Sequence, residues 1–313
     1  MASDETWPCD RWYAWYNGRM VLETEVRIPF RDRGFKFGDG VFDTTRTFGH
    51  RIFRIKEHVA RLYRSLTYLR IDPGMSPAEM TEVTERVASK NLEVTPKDED
   101  IWVTQRVSRG VDAGERGAWP DYPERTVIVE CRPLPYRQRG KFYREGLRVV
   151  TPTIRRPAPD TFSPRAKTQN YLNLVLGDLE AKDRDPEAIG VLLDTNGNLA
   201  EGRGSNIFLV RDGTVYTPRE RFVLPGISRQ TAMELAREKG IPVVETDIDL
   251  YDACTADEAF ITSTSFCVCP VSRINHARIG DGKVPGPITK TIQDAYVKLV
   301  NCDWVGQYLR YAN

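Results

Sequence analysis

Histidine and cysteine are scarce in this chain, with three of the first and six of the second among 313 residues. Six cysteines in so long a chain, without the close spacing of a small secreted domain, argue against a disulfide framework and fit reduced thiols. The tightest pair, Cys267-Val268-Cys269, lies in an apolar run, and C-x-C inside an apolar strand reads as core rather than as metal ligation. Net charge is nearly absent too: 45 basic residues balance 44 acidic ones, so no broad field recruits nucleic acid or an anionic membrane. No apolar run approaches the roughly 20 residues needed to span a bilayer. The start, MASDETWPCDRW, is too acidic and polar for a signal peptide, and a cytoplasmic location is expected. The phosphate loop G-x-x-x-x-G-K-[ST] and the strand-linked G-x-G-x-x-G fingerprint are both missing, which discounts ATP and NAD. H-E-x-x-H and G-x-S-x-G are missing as well, and hydrolase readings lose ground.

What is present fits an ordinary folded protein, with 40% hydrophobic and 28% charged residues. At 313 residues the chain exceeds what one hydrophobic core usually serves, so two domains are expected. The basic, aperiodic stretch LPYRQRGKF suggests a link over residues 134–142, between a small α+β domain over 1–133 and a larger domain over 143–313.

Local patterns support an α+β class. Asn17-Gly18 between two short alternating runs suits a type I′ hairpin turn, and Gly49 marks a second turn. Val59, Leu62, Leu66 and Leu69 fall on one helical face. Ser76 and Pro77 read as the N-cap and first position of the next helix, and Gly240 as a helix stop. Short strands fill much of 189–218, GPITKTIQDAYVKLV makes an amphipathic helix, and the aromatic tail CDWVGQYLRYAN packs either on a neighbour or on its own domain.

Four polar clusters are candidates for chemistry. Lys167 stands ahead of the apolar helical run in SPRAKTQNYLNLVLGD. Such a lysine ordinarily keeps its charge in water and its stem on apolar surface. Buried, it would instead have a depressed pKa and a lone pair able to form a Schiff base. Glu201, in LAEGRGSNIF, is either a turn carboxylate in water or a partner for a cationic ring nitrogen. In LPGISRQT, the amides of Ile227 and Ser228 and the serine hydroxyl could hold a phosphate at a helix N-terminus, although simple capping by Ser228 explains the same letters. Thr264, in ITSTSF, adds a hydroxyl where a strand ends, in what is also a common turn sequence.

In chain order, RDRGFKFGDGVFDTTR, IKEHVARL, AKTQNYL, LAEGRGSNIFLV, LPGISRQ, TSTSF and GPITK resemble the class IV, fold-type IV aminotransferases that use pyridoxal 5′-phosphate. The resemblance runs from about residue 12 to residue 300. It implies a small N-terminal lobe and a larger, β-barrel-like domain with flanking helices. It makes Lys167 the cofactor-bearing and catalytic amine, and Glu201 the partner of the pyridine nitrogen. Arg61, Ile227, Ser228 and Thr264 become phosphate ligands, and Tyr171 matches a tyrosine near the ring, one residue closer to the lysine than in branched-chain enzymes. The implied partners are small amines or amino acids and 2-oxo acids, and the implied assembly is a homodimer or larger.

The resemblance also implies a substrate pocket lined by Phe37, Phe42, Thr44 and Ser265, with Arg46 where branched-chain enzymes can carry arginine and Arg116 near a loop arginine able to meet a carboxylate. Branched-chain enzymes typically have tyrosine and glycine where Phe37 and Thr44 stand, and the R-x-H pattern of D-amino acid enzymes is missing from GERGAW. The expected activity is transamination between an (R)-amine or an amino acid, D- or branched-chain, and a 2-oxo acid such as pyruvate. A lyase of the aminodeoxychorismate type is the alternative.

Overall fold

The computed structural model describes residues 11–116 and 123–312. The chain divides into two compact units, the first ending at Leu134 but also including Lys167–Asn170, the second holding Pro135–Ala166 and everything from Tyr171 onward.

The first unit contains β1 (Tyr13–Tyr16), β2 (Arg19–Leu22), α1 (Arg33–Phe37), β3 (Gly40–Phe48), β4 (Arg51–Ile52), α2 (Ile55–Leu69), α3 (Pro77–Leu92), β5 (Ile101–Ser108), α4 (Ala113–Arg116) and β6 (Thr126–Pro133). Its six strands form one sheet in the order β2-β1-β6-β5-β3-β4. Asn17 and Gly18 both take positive φ between β1 and β2, as a type I′ turn requires. The sheet alternates as a half-buried sheet must: Val41, Val103 and Val129 face the core that α2 and α3 cover with Leu62, Leu66 and Met80. The Ser76 hydroxyl accepts a hydrogen bond from the Glu79 amide, and Glu79 reaches back to the Ser76 amide, closing a capping box at the start of α3.

The second unit contains α5 (Tyr136–Glu145), β7 (Leu147–Val150), α6 (Leu172–Arg184), β8 (Ile189–Leu193), β9 (Leu199–Gly202), β10 (Ser205–Arg211), β11 (Thr214–Pro218), α7 (Ile227–Glu238), β12 (Val243–Thr246), α8 (Leu250–Cys254), β13 (Glu258–Ser263), β14 (Cys267–Ile274), β15 (Ala277–Arg278), α9 (Pro287–Val300) and α10 (Trp304–Leu309). Because β9 pairs with both β8 and β10, the strands β10-β13-β14-β7-β8-β9 close into a six-stranded barrel. Closure pairs each of these six strands on both sides, while β11 and β12 extend from β10 and β15 pairs with β14.

One stretch differs from the sequence reading. Residues 136–145, most of which fall in the expected irregular link, form helix α5. Its buried positions Tyr136, Gly140 and Tyr143 recur at intervals of four and three, a stripe that the surrounding arginines and lysine conceal from a hydropathy pattern. Among the described residues, no helix is long and apolar enough to cross a membrane.

Candidate active site

Lys167 does not begin a helix. Residues 167–170 run extended against β3 of the first unit, where the Phe42 amide donates to the Lys167 carbonyl at 3.0 Å and the Gln169 amide to the Gly40 carbonyl at 2.9 Å. The Lys167 amide in turn donates to Ser65 Oγ of α2 at 3.0 Å. So anchored, the residue is only 8% exposed. Its Nζ lies 4.5 Å from the centre of the Phe42 ring, and the Arg106 guanidinium carbon lies 5.4 Å from the same ring. Lys167 is therefore buried, with the Phe42 ring beside its amine.

Beneath this segment α2 presents His58, Arg61 and Ser65 at helical spacing of three and four. Arg61 grips the buried Asp43 carboxylate twice, and His58 Nδ1 meets Asp43 Oδ1 at 2.7 Å. Burial alone would raise the Asp43 pKa; the Arg61 guanidinium and the His58 hydrogen bond outweigh it and hold the carboxyl well below the usual range. Burial pushes His58 the other way, toward the neutral imidazole, opposed by Asp43 and reinforced by the charges of Arg61 and Lys167. Sequence reasoning missed Asp43. Its inward position in the alternation of β3, between Val41 and Thr45, was the signal, because a carboxylate facing a core requires a partner.

The other expected residues of this unit are spread along it. Phe37 ends α1 and is 58% exposed. Thr44 Oγ1 lies 3.1 Å from Thr104 Oγ1 across the β3–β5 pair. Arg46 is 1% exposed, with its guanidinium over Phe48 and 4.0 Å from Asp100. Arg116 closes α4, and its side chain lies outside the described residues.

In the second unit Glu201 sits on β9, 4% exposed. Arg156 donates to Glu201 Oε1 from Nε at 3.1 Å and from Nη2 at 2.7 Å, and the Leu224 amide donates to Oε2 at 3.0 Å. Asn206, opposite Glu201 on β10, donates from Nδ2 to the Leu224 carbonyl at 3.0 Å. The two strands thus hold the loop that leads into α7 at both its amide and its carbonyl. Thr262 is the next residue in this cross-strand row, and its buried hydroxyl has no hydrogen-bond partner among the described residues.

That loop delivers Gly226 as the N-cap of α7, with no side chain capping the helix. Ser228 lies inside the helix, so capping does not explain it. A Cβ on residue 226 would come within 2.2 Å of Asn206 Oδ1, which accounts for the glycine. Thr264 and Ser265 occupy the turn between β13 and β14, and Tyr171 stands immediately before α6 without capping it.

These groups suit the cofactor that the sequence resemblance implies. The first unit offers a buried primary amine on an aromatic wall. In the second, the Glu201 carboxylate accepts three hydrogen bonds from this chain; with about four lone-pair sites on two oxygens it retains room for a ring N–H. The start of α7 offers backbone N–H groups with no side-chain cap among the described residues, a setting that favours a phosphate.

Comparison with known proteins gives the same direction. The profile of amino-transferase class IV matches residues 40–274. A Methanocaldococcus jannaschii protein provisionally named a branched-chain-amino-acid aminotransferase is 35% identical over 291 residues, covering 92% of this chain and 96% of that one. The D-alanine aminotransferase of Listeria monocytogenes is 30% identical over 287 residues, covering 90% and 94%. Among solved structures, the branched-chain amino acid aminotransferase of Escherichia coli superimposes with a TM-score of 0.84 at 29% identity, over 93% of this chain and 95% of that one. The same enzyme from Thermobaculum terrenum, in its pyridoxal phosphate form, superimposes with a TM-score of 0.79 at 27% identity, over 96% of each chain. The fold is that of the fold-type IV enzymes.

Proposed function

Because the chain belongs to amino-transferase class IV and is a pyridoxal 5′-phosphate-dependent transaminase, we propose that it moves an amino group between an (R)-amine or an amino acid, D- or branched-chain, and a 2-oxo acid such as pyruvate. The observation that carries this reading is the buried Lys167 amine 4.5 Å from the Phe42 ring, an apolar aromatic surface suited to aryl or branched donors. The relatives compared are transaminases, which supports amino transfer over a lyase reaction.

When bound, the cofactor supplies an electron sink that stabilises negative charge left on the substrate carbon. Lys167 would hold it, and its amine would move a proton at that carbon. Glu201, oriented by Arg156 and the Leu224 amide, accepts the hydrogen bond of the ring nitrogen and favours its protonated form. The Ile227 and Ser228 amides, the Ser228 and Thr264 hydroxyls and Arg61 bind the phosphate, and Tyr171 stands near the ring. Phe37, Phe42, Thr44 and Ser265 shape the substrate pocket, while Arg46 and Arg116 provide positive charge for a carboxylate. We also infer a dimer or larger assembly, supported by Leu172, Leu176 and Leu179, which are exposed at i, i+4 and i+7 along α6.

The test is the visible absorption of the cofactor-loaded protein before and after single additions of (R)-1-phenylethylamine, its (S)-enantiomer, D-alanine and L-leucine. Loss of the bound-cofactor band with the (R)-amine and not the (S)-amine supports amine transfer. A response to L-leucine alone returns the protein to branched-chain chemistry, and no response to any donor overturns the reading.

A further inference from the structure

The aromatic tail packs along α5, with Tyr136 against Tyr308 and Tyr311, and both reach the turn that joins β13 to β14. Tyr308 of α10 donates its hydroxyl to the Ser265 carbonyl at 2.7 Å, and Tyr143 of α5 donates its hydroxyl to the Phe266 carbonyl at 2.6 Å. Arg139 of α5 donates to Ser265 Oγ, and its guanidinium carbon lies 4.1 Å from the Phe266 ring. The two tyrosine rings stack with centres 4.8 Å apart, and Trp304 packs edge-on against Tyr143 at 5.7 Å. Tyr143 and Tyr308 are 3% and 0% exposed.

Packing alone does not require this arrangement. Phenylalanine would fill the same volume, and each hydroxyl instead satisfies one main-chain carbonyl of a three-residue turn. From within, the turn is closed by the Phe266 amide donating to Ser263 Oγ at 3.0 Å. From outside, its carbonyls are held by two residues 43 and 123 positions away in sequence, and the Ser265 hydroxyl by Arg139. Fixing a turn from several directions removes conformational freedom that binding would otherwise have to remove.

We propose that Tyr143 and Tyr308 are positioning residues: their hydroxyls fix the 264–266 turn so that Thr264 and Ser265 are already set for the cofactor phosphate and the substrate. This rests on the reading above that places those two residues in the site. The C-terminal helix then acts on ligand affinity through the turn without touching a ligand.

The experiment titrates apoprotein with pyridoxal 5′-phosphate, and with inorganic phosphate as competitor, for the wild type, Tyr143→Phe, Tyr308→Phe, the double Phe variant and Thr264→Val. Thermal midpoints of the same apoproteins are recorded alongside. The expected result is cofactor affinity at least tenfold weaker in the double variant and in Thr264→Val, with each single tyrosine variant intermediate and phosphate competing less well. Weaker affinity for Thr264→Val with wild-type affinity in both single tyrosine variants overturns the proposal and leaves the phosphate assignment standing. Wild-type affinity for Thr264→Val overturns the phosphate assignment and the proposal with it. Should the double variant fail to fold, the single variants decide. A purely structural role predicts lower thermal midpoints with unchanged affinity, which also overturns the proposal.

Discussion

Asp43 accepts one hydrogen bond from each of two nitrogens of Arg61, Nε to Oδ2 and Nη2 to Oδ1, both at 2.8 Å and both away from water. Paired donors in the planar guanidinium fix direction as well as distance. Asp43→Asn keeps the shape and removes the charge, leaving the Arg61 guanidinium buried without its counter-ion. Breaking a buried pair by changing one partner costs about 3–5 kcal/mol. Urea unfolding of the apoprotein should show a loss of that order, and a variant as stable as wild type would mean that Arg61 is balanced by other groups.

The same cluster sets the response to acid. Asp43 is held below the ordinary carboxylate range in the folded chain, so its contribution is complete above that range and is lost as pH falls through it. His58 is also lowered, mainly by burial, so unfolding releases a histidine that takes up a proton more readily, and stability falls as pH drops below the ordinary histidine value of about 6.5. Both groups act in one direction. Thermal midpoints of the apoprotein should be flat near neutrality, decline gently below about pH 6.5 and decline steeply in the carboxylate range. In His58→Gln the gentle part of the decline should shrink.

Much of this was legible in the sequence because it is local. The Asn17-Gly18 turn, the Ser76 N-cap and the apolar stripe of α2 each depend on neighbours within a few positions, and each appears where the letters suggest. Lys167 and Glu201 stood out through the ordered motifs around them. Their partners did not. Arg156 lies 45 residues from Glu201, and Tyr143 lies 123 residues from Phe266, so nothing in a local window joins them. Such pairs are set by barrel closure and by which helix covers which end of it. Helix α5 was hidden for a different reason: its exposed positions are so basic that three buried residues could not raise its apparent hydrophobicity.

Gly226 takes φ −65°, ordinary for any residue, so its importance is steric. Gly226→Ala should drive the new Cβ into Asn206 Oδ1, and Asn206 also holds the loop through its amide to the Leu224 carbonyl. Overpacking of this kind costs about 1–3 kcal/mol. The displaced loop should take the first turn of α7 with it, so cofactor affinity should fall more than stability does. Fluorescence titration with pyridoxal 5′-phosphate and thermal unfolding, run on the same samples, separate the two. A stability loss with wild-type affinity would show that the start of α7 is not a phosphate site.

Arg156 and Glu201 allow stability and chemistry to be separated. Their side chains are 11% and 6% exposed, and Arg156→Met leaves the carboxylate with a single protein donor, the Leu224 amide. The expected cost is about 3–5 kcal/mol, that of an uncompensated buried charge. Glu201→Leu should destabilise for the mirror reason, by stranding the guanidinium. Replacing both residues together removes both charges, so the double variant should recover most of the lost stability, with a coupling energy well outside the additive limit of about 0.3–0.5 kcal/mol. Transaminase turnover should not recover, because neither replacement can hold a protonated ring nitrogen. A stable double variant with wild-type turnover would remove Glu201 from the chemistry and leave it a structural partner of Arg156.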